Sequence, residues 1–171
     1  MRGPAAEGGG GGLHPSAQRV ADALADAGVN GTVRQFDRPT RTSKEAAEAL
    51  GCPLRAIASC LVLVADDESV VLIKSGAHRA DLDHLGAQVG AGVLRQANAD
   101  EVRAATGQPI GGVAPVNWPT SPRVLIDASL REEPTIWSAA GTPNTVFPTT
   151  FEELERITGA VTVTIEPEST S

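Results

Sequence analysis

The chain of 171 residues has no tyrosine, three phenylalanines and two tryptophans, so aromatics make up only 3% of it. Its core must therefore rest on Val, Leu, Ile and Ala. Only Cys52 and Cys60 carry thiols, which excludes a disulfide-stapled scaffold and suits a reducing compartment. The longest apolar run, residues 60–65, falls far short of the about 20 residues that a membrane-spanning helix needs. The N-terminal stretch through Gly12 lacks the apolar segment of a secretory signal. These absences predict a soluble, cytoplasmic protein.

Several chemistries are also missing. His14, His78 and His84 are the only histidines, and their spacing makes no zinc pattern with the cysteines, so no metal or cofactor is expected. There is no G-x-S-x-G elbow, no P-loop, and no nucleotide-binding G-x-G-x-x-G after a strand. Cys60 sits in an apolar run and reads as a buried inert thiol. His78 and His84 flank a short polar stretch and read as surface residues.

What is present is a globular composition, 41% hydrophobic and 20% charged, long enough for one domain. The net charge of −7 counts against a protein that grips long nucleic acid such as DNA, where a basic face drives affinity, and no membrane partner is expected. The charge is uneven. Arg34, Arg38, Arg41 and Lys44 crowd a stretch whose only acid before the next helix is Asp37, while Glu residues load the C-terminal part.

Residues 1–12, with an unbroken glycine run from Gly8, predict a flexible tail, and residues 167–171 a frayed end. Between them, residues 13–166 read as one domain. Ala17, Val20, Ala21 and Leu24 follow helical spacing, and Gly28 stops that helix. Residues 32–37 read as a strand. Thr42 and Glu45 form a capping-box pattern opening an Ala-rich helix that ends at Gly51. Residues 59–65 and 70–74 are apolar on both faces, as central strands of a covered sheet are. One helical turn at 81–85 and a helix over 98–106, capped by Asn98 or Asp100, follow. Residues 111–122 form a Gly- and Pro-rich loop. Strands are expected at 123–127, 135–139, 144–147 and 161–165, with a helix capped by Thr150 between the last two. The irregular mixing of strands and helices gives the α+β class with a mixed sheet.

Four segments, in order, resemble the YbaK/prolyl-tRNA-synthetase-associated family. They are residues 41–51 (RTSKEAAEALG), 57–63 (IASCLVL), 106–116 (TGQPIGGVAPV), and 126–130 with 137–144 (IDASL, WSAAGTPN). The resemblance spans about residues 16–165. It implies a twisted mixed sheet, partly barrel-like and flanked by helices, with a pocket for the aminoacyl group and terminal adenosine of tRNA. The implied activity is trans-editing: hydrolysis of the ester at the 3′ end of misacylated tRNA, a small amino acid on proline tRNA. The implied partners are the aminoacyl-tRNA 3′ end and, by association, prolyl-tRNA synthetase.

Carried onto this sequence, the resemblance assigns catalysis to Ser59, Gly112 and Thr142. It assigns substrate binding to Thr42, Gly111, Pro115, Gly141 and Pro143. Ser59, Gly112, Pro115, Gly141 and Thr142 are expected to line one concave pocket. The basic cluster Arg34, Arg38, Arg41 and Lys44 is expected to meet tRNA phosphates. An aminoacyl ester is already activated, so a site can act by positioning it and stabilising its oxyanion through backbone N–H groups. Position 59 is where many deacylases of the family carry a lysine, and a serine cannot replace its charge. Asn117 stands where the family often has glycine. Competing readings are a non-catalytic YbaK-like module that binds aminoacyl-tRNA or an amino-acid-like molecule, and a small-molecule hydrolase unrelated to tRNA.

Lys74 is the only lysine besides Lys44 and a candidate stand-in. The turn at Asp66-Asp67 lacks the glycine of a favoured tight hairpin. That favours a longer loop with Ala65 opposite Ser69, which sets Lys74 beside Cys60 and away from Ser59.

Overall fold

The computed structural model describes residues 12–40 and 42–165. The glycine-rich tail and the C-terminal end expected to fray lie outside the described residues (save Gly12), as does Arg41. The elements run α1 (Pro15–Asp26), β1 (Arg34–Gln35), α2 (Ser43–Leu50), β2 (Ile57–Ala65), β3 (Glu68–Ser75), α3 (Leu82–Val89), β4 (Leu94–Gln96) and α4 (Ala99–Thr106). They continue through β5 (Arg123–Asp127), β6 (Ile136–Ala139), β7 (Thr145–Thr149), α5 (Phe151–Thr158) and β8 (Val161–Val163). Short 3-10 turns at Leu54–Ala56 and Ala128–Glu132 lead into β2 and out of β5.

The eight strands form one open mixed sheet in the order β1-β7-β6-β2-β3-β5-β8, with β4 also paired to β2. The fold is α+β, as expected, and the sheet does not close. β2 and β3 are its central strands. Ala58, Val62 and Val64 of β2 pack into one apolar cluster with Val71 and Ile73 of β3, Phe151 and Leu154. Leu63 points the other way, into a cluster with Leu72, Leu85 and Leu125. Coverage on both faces is why these strands are uninterrupted apolar runs.

The helix ends follow local chemistry. Thr42 Oγ1 accepts from Glu45 N at 3.1 Å and caps α2, which Gly51 closes in a left-handed conformation. A full reciprocal box forms at α4, where Asn98 and Glu101 each accept from the other's backbone N–H.

Three local expectations are corrected. The first strand is only Arg34–Gln35, because it pairs solely with Thr145 and Val146 of β7. The turn at 81–85 is a full helix, α3. The β2–β3 register is the tight one: Ala65 opposes Glu68 and Ser59 opposes Lys74. Asp66 takes φ +57°, a conformation that Asp tolerates in turns. It is fixed there by groups remote in sequence. Its carboxylate accepts from Gly92 N and Val93 N at 3.2 and 2.9 Å, and its own N–H donates to Val93 O at 2.7 Å.

Candidate active site

A break in strand pairing opens the site. On the side of β2 away from β3, β6 pairs with only Ile57 and Ala58, and β4 pairs with only Leu63, Val64 and Ala65. Among the described residues, 59–61 between them have no ladder partner there, and Val62 O accepts from Ala97 N at 3.0 Å just past β4. Two clefts enter this gap and share Ser59, Gly111 and Ala139. The first, about 100 Å3, is lined by Thr42, Ser43, Ser59, Gly111, Thr142 and Pro143 among others, with Trp137 at one wall. The second, about 200 Å3, is largely apolar and runs along Cys60, Leu61 and Val62 to Ile110 and Val113.

Of the predicted pocket residues, Ser59, Thr42, Gly111, Thr142 and Pro143 thus line one cleft. Gly112 and Gly141 stand just behind its wall, and Pro115 is buried outside its lining. A Cβ on Gly112 would sit 2.6 Å from Thr142 C and 2.9 Å from Pro143 N. Only glycine allows the two loops to approach so closely. Gly112 O accepts from Gly141 N at 2.9 Å, and Gly112 N donates to Pro109 O at 2.9 Å. The N–H groups of Gly112 and Gly141 are therefore committed to the scaffold, which corrects the expectation that they face a substrate. The N–H groups of Gly111 and Thr142 make no hydrogen bond among the described residues.

The Thr142 hydroxyl is likewise occupied. It donates to Asn144 Oδ1 at 2.8 Å and lies 2.7 Å from Thr145 Oγ1. What Thr142 offers a ligand is its backbone. The loop around it is pinned from three sides: Ser16 Oγ donates to Gly141 O at 2.8 Å, Thr40 N and Oγ1 donate to Pro143 O, and Asn144 Nδ2 donates to Phe36 O.

Sequence reasoning missed Gln108, which is 1% exposed. Its side chain holds the glycine loop, accepting from Ala114 N at 2.7 Å and donating to Val116 O and Asn117 O. Its signals were its place right after the helix that Gly107 closes and within the 106–116 family segment. Asn117 adopts φ +67°, the conformation for which a glycine is often chosen and which Asn accepts. Also missed were Trp137, Ser43 and Thr145 in the cleft lining.

Charge at the site comes from its surroundings. α2 presents its N-terminal end to the cleft through Thr42, Ser43 and Ala46, and a helix N-terminus carries partial positive charge. The Arg34 guanidinium lies 5.5 Å from the centre of the Trp137 ring. Arg38 lines a separate groove with Asp37, Glu45 and Glu48, so the basic cluster is diluted by acids. Lys44 is exposed on α2. Although part of Cys60 reaches solvent, burial of its thiol pushes it up to about 12, which leaves it protonated and unreactive at neutral pH. Among the described residues no group of three or more His, Cys, Asp or Glu is placed to hold a metal ion, and no helix is long and apolar enough to cross a membrane.

Residues 37–157 match the aminoacyl-tRNA editing domain family. The chain belongs to that family. The crystal structure of a candidate trans-editing enzyme for prolyl tRNA synthetase superposes on this editing domain with a TM-score of 0.86 and 39% identity, over 91% of this chain and 99% of that one. YwhH of Bacillus subtilis is 32% identical over 123 residues, 71% of this chain and 78% of YwhH. The proline–tRNA ligase of Lactobacillus acidophilus is 29% identical over 90 residues, which are 53% of this chain and 16% of the ligase. The editing domain thus resembles a small part of that synthetase and nearly all of the separate trans-editing structure.

Proposed function

We propose that this editing domain hydrolyses misacylated aminoacyl-tRNA in trans, cleaving the ester of a small amino acid from the 3′ end of proline tRNA. The observation that carries this reading is the convergence of Ser59, Gly111 and Thr142 on one small cleft in a chain of this family. A volume of about 100 Å3 is small against the about 300–1,000 Å3 of clefts for drug-sized ligands, and it suits a short side chain. The uncommitted N–H groups of Gly111 and Thr142 are the donors for an ester oxygen as it gains charge. The N-terminal end of α2 adds favourable potential. Ser59 Oγ, which has no partner among the described residues, is free to bind the amino group, the ester or the attacking water.

Water attacks the ester carbonyl carbon, the tetrahedral oxyanion forms against the backbone donors, and the ribose oxygen leaves with a proton. The ribose hydroxyl next to the ester can pass that proton, so the chain need not supply a titratable group. Thr42, Pro143 and Trp137 bound the space that the aminoacyl group fills. Arg34, Arg38 and Lys44, with Arg41, remain the proposed partners of acceptor-stem phosphates.

One observation favours a second reading, a binding module with little turnover. Where many family members carry a lysine, the cleft holds Ser59, and no lysine lines it. The two readings separate in one experiment. Purified protein is incubated with a panel of misacylated tRNAs, and free amino acid is followed over time. Turnover above the spontaneous rate on proline tRNA carrying a small residue supports the deacylase. Tight binding of the same tRNA without turnover supports the module.

A further inference from the structure

Thr142 and Pro143 have a second side. Beyond them lies a larger cleft of about 670 Å3, bounded by the start of α1, β1 and the end of α4. Arg19 of α1 and Arg103 of α4 line it, together with His14 and Gln35. Neither arginine forms an ion pair or side-chain hydrogen bond among the described residues. Among the described residues no carboxylate lines this cleft. That is unusual for a chain with 21 acids and 14 basic residues. Two other charged clefts mix their signs, Arg123 with Asp67, Glu68 and Glu101 in one, and Arg38 with Asp37, Glu45 and Glu48 in the other. His14 adds a donor. Its Nδ1 accepts from Ser16 N at 3.0 Å, so the neutral ring carries its proton on Nε2.

An acid-free cleft with two uncommitted guanidiniums is built for an anion with several oxygens, since the guanidinium fork matches phosphate geometry. It adjoins the editing cleft, since Thr142 and Pro143 line both. A ligand whose ester sits at Ser59, Gly111 and Thr142 and whose chain passes over Thr142 and Pro143 meets this cleft next. We propose that this cleft binds the phosphodiester chain of the single-stranded tRNA 3′ end, just upstream of the aminoacylated nucleotide. Arg19 and Arg103 bind phosphate oxygens, and the His14 Nε2–H donates to a phosphate or ribose oxygen. This site is distinct from the Arg34–Lys44 cluster, and it rests on the proposed aminoacyl-tRNA substrate.

The test uses the full chain with Arg19→Ala and Arg103→Ala combined, and Arg19→Lys with Arg103→Lys as a charge-preserving control, each checked by thermal melting. Two substrates are compared: misacylated tRNA, and the same amino acid esterified to adenosine, which has no phosphodiester. The expected result is a fall of about tenfold or more in kcat/KM on tRNA, with no change on the adenosine ester and partial recovery with lysine. The salt dependence on tRNA should flatten by about 1.4 in log–log slope, about 0.7 for each single-strand phosphate that is no longer neutralised. Unchanged kcat/KM on tRNA, or an equal fall on both substrates, overturns the proposal. A binding arm keeps it separable from the deacylase reading. A fluorescent oligonucleotide ending in CCA is titrated at low and physiological salt. If the wild type hydrolyses nothing but binds this probe salt-sensitively through the two arginines, the cleft assignment holds and the deacylase reading fails. Absence of binding at low salt overturns the cleft assignment, whatever the hydrolysis shows.

Discussion

Ser59 on β2 faces Lys74 on β3 directly across the antiparallel ladder, yet the Lys74 ammonium is turned to the carbonyls of His78 at 2.7 Å and Ser75 at 3.2 Å. Register alone sets the two side chains on one face of the sheet. Carbonyls at the end of β3 and just past it draw the ammonium to themselves, and Lys74 lines neither cleft at Ser59.

Placing the charge in the cleft should therefore act where Lys74 does not. Ser59→Lys is expected to raise kcat/KM on misacylated tRNA by about ten- to a hundredfold, the worth of one charge-assisted hydrogen bond of roughly 1.5–3 kcal/mol. Lys74→Ala should leave kcat/KM within about twofold and lower the melting temperature. Steady-state deacylation of the two variants in parallel decides this; a collapse of turnover in Lys74→Ala alone would show that its ammonium reaches the substrate.

Gly112→Ala tests the wall of the cleft. The new methyl group meets backbone atoms of Thr142 and Pro143, which cannot rotate away as a side chain would. The loops must part, at about 1–3 kcal/mol for an overpacked site. Denaturant unfolding should register that loss, and turnover should fall more than stability because Thr142 and Gly111 move with the loops. An unchanged variant would mean the approach is not needed.

Asp127 is 1% exposed and its carboxylate accepts four hydrogen bonds, from Ser75 N, the His78 ring, Ser129 N and Ser129 Oγ. These tie the end of β3 to the end of β5. Asp127→Ala strands those donors and should cost about 3 kcal/mol or more in urea unfolding. Asp127→Asn retains an acceptor and should cost less. Equal losses in the two would point to shape rather than hydrogen bonding.

The Arg95 side chain, and next the Asn98 backbone N–H, hold the Glu101 carboxyl down at about 2. A carboxyl whose folded value lies below its unfolded one, near 4.5, stabilises the fold fully above about pH 4.5. That contribution fades as pH falls towards 2. The wild type should therefore lose melting temperature faster between pH 4.5 and 2 than Glu101→Gln does. Parallel curves would deny the pair a role in acid stability.

Much of what short-range chemistry controls was legible in the residue order, although the full length of α3, capped by Asp81 and closed by Gly90, was not. Thr42, Asn98 and Thr150 cap helices, and Gly51, Gly107 and Gly159 end them, because these depend on residues within one turn. The double-sided apolar runs of β2 and β3 marked the middle of the sheet, and the ordered loop motifs marked the family. Tertiary structure alone decided the rest. Asp66 makes a tight turn without glycine because the backbone near Val93, 27 residues away, satisfies its carboxylate. That pairing fixes the register and sets Lys74 opposite Ser59. The division of labour at the site is also tertiary. Gly112 and Gly141 look in sequence like substrate-facing glycines, but their N–H groups are consumed in bracing the loops, which leaves Gly111 and Thr142 as donors. Local pattern can show that a backbone group is able to approach a ligand; only the folded chain shows which groups already have partners.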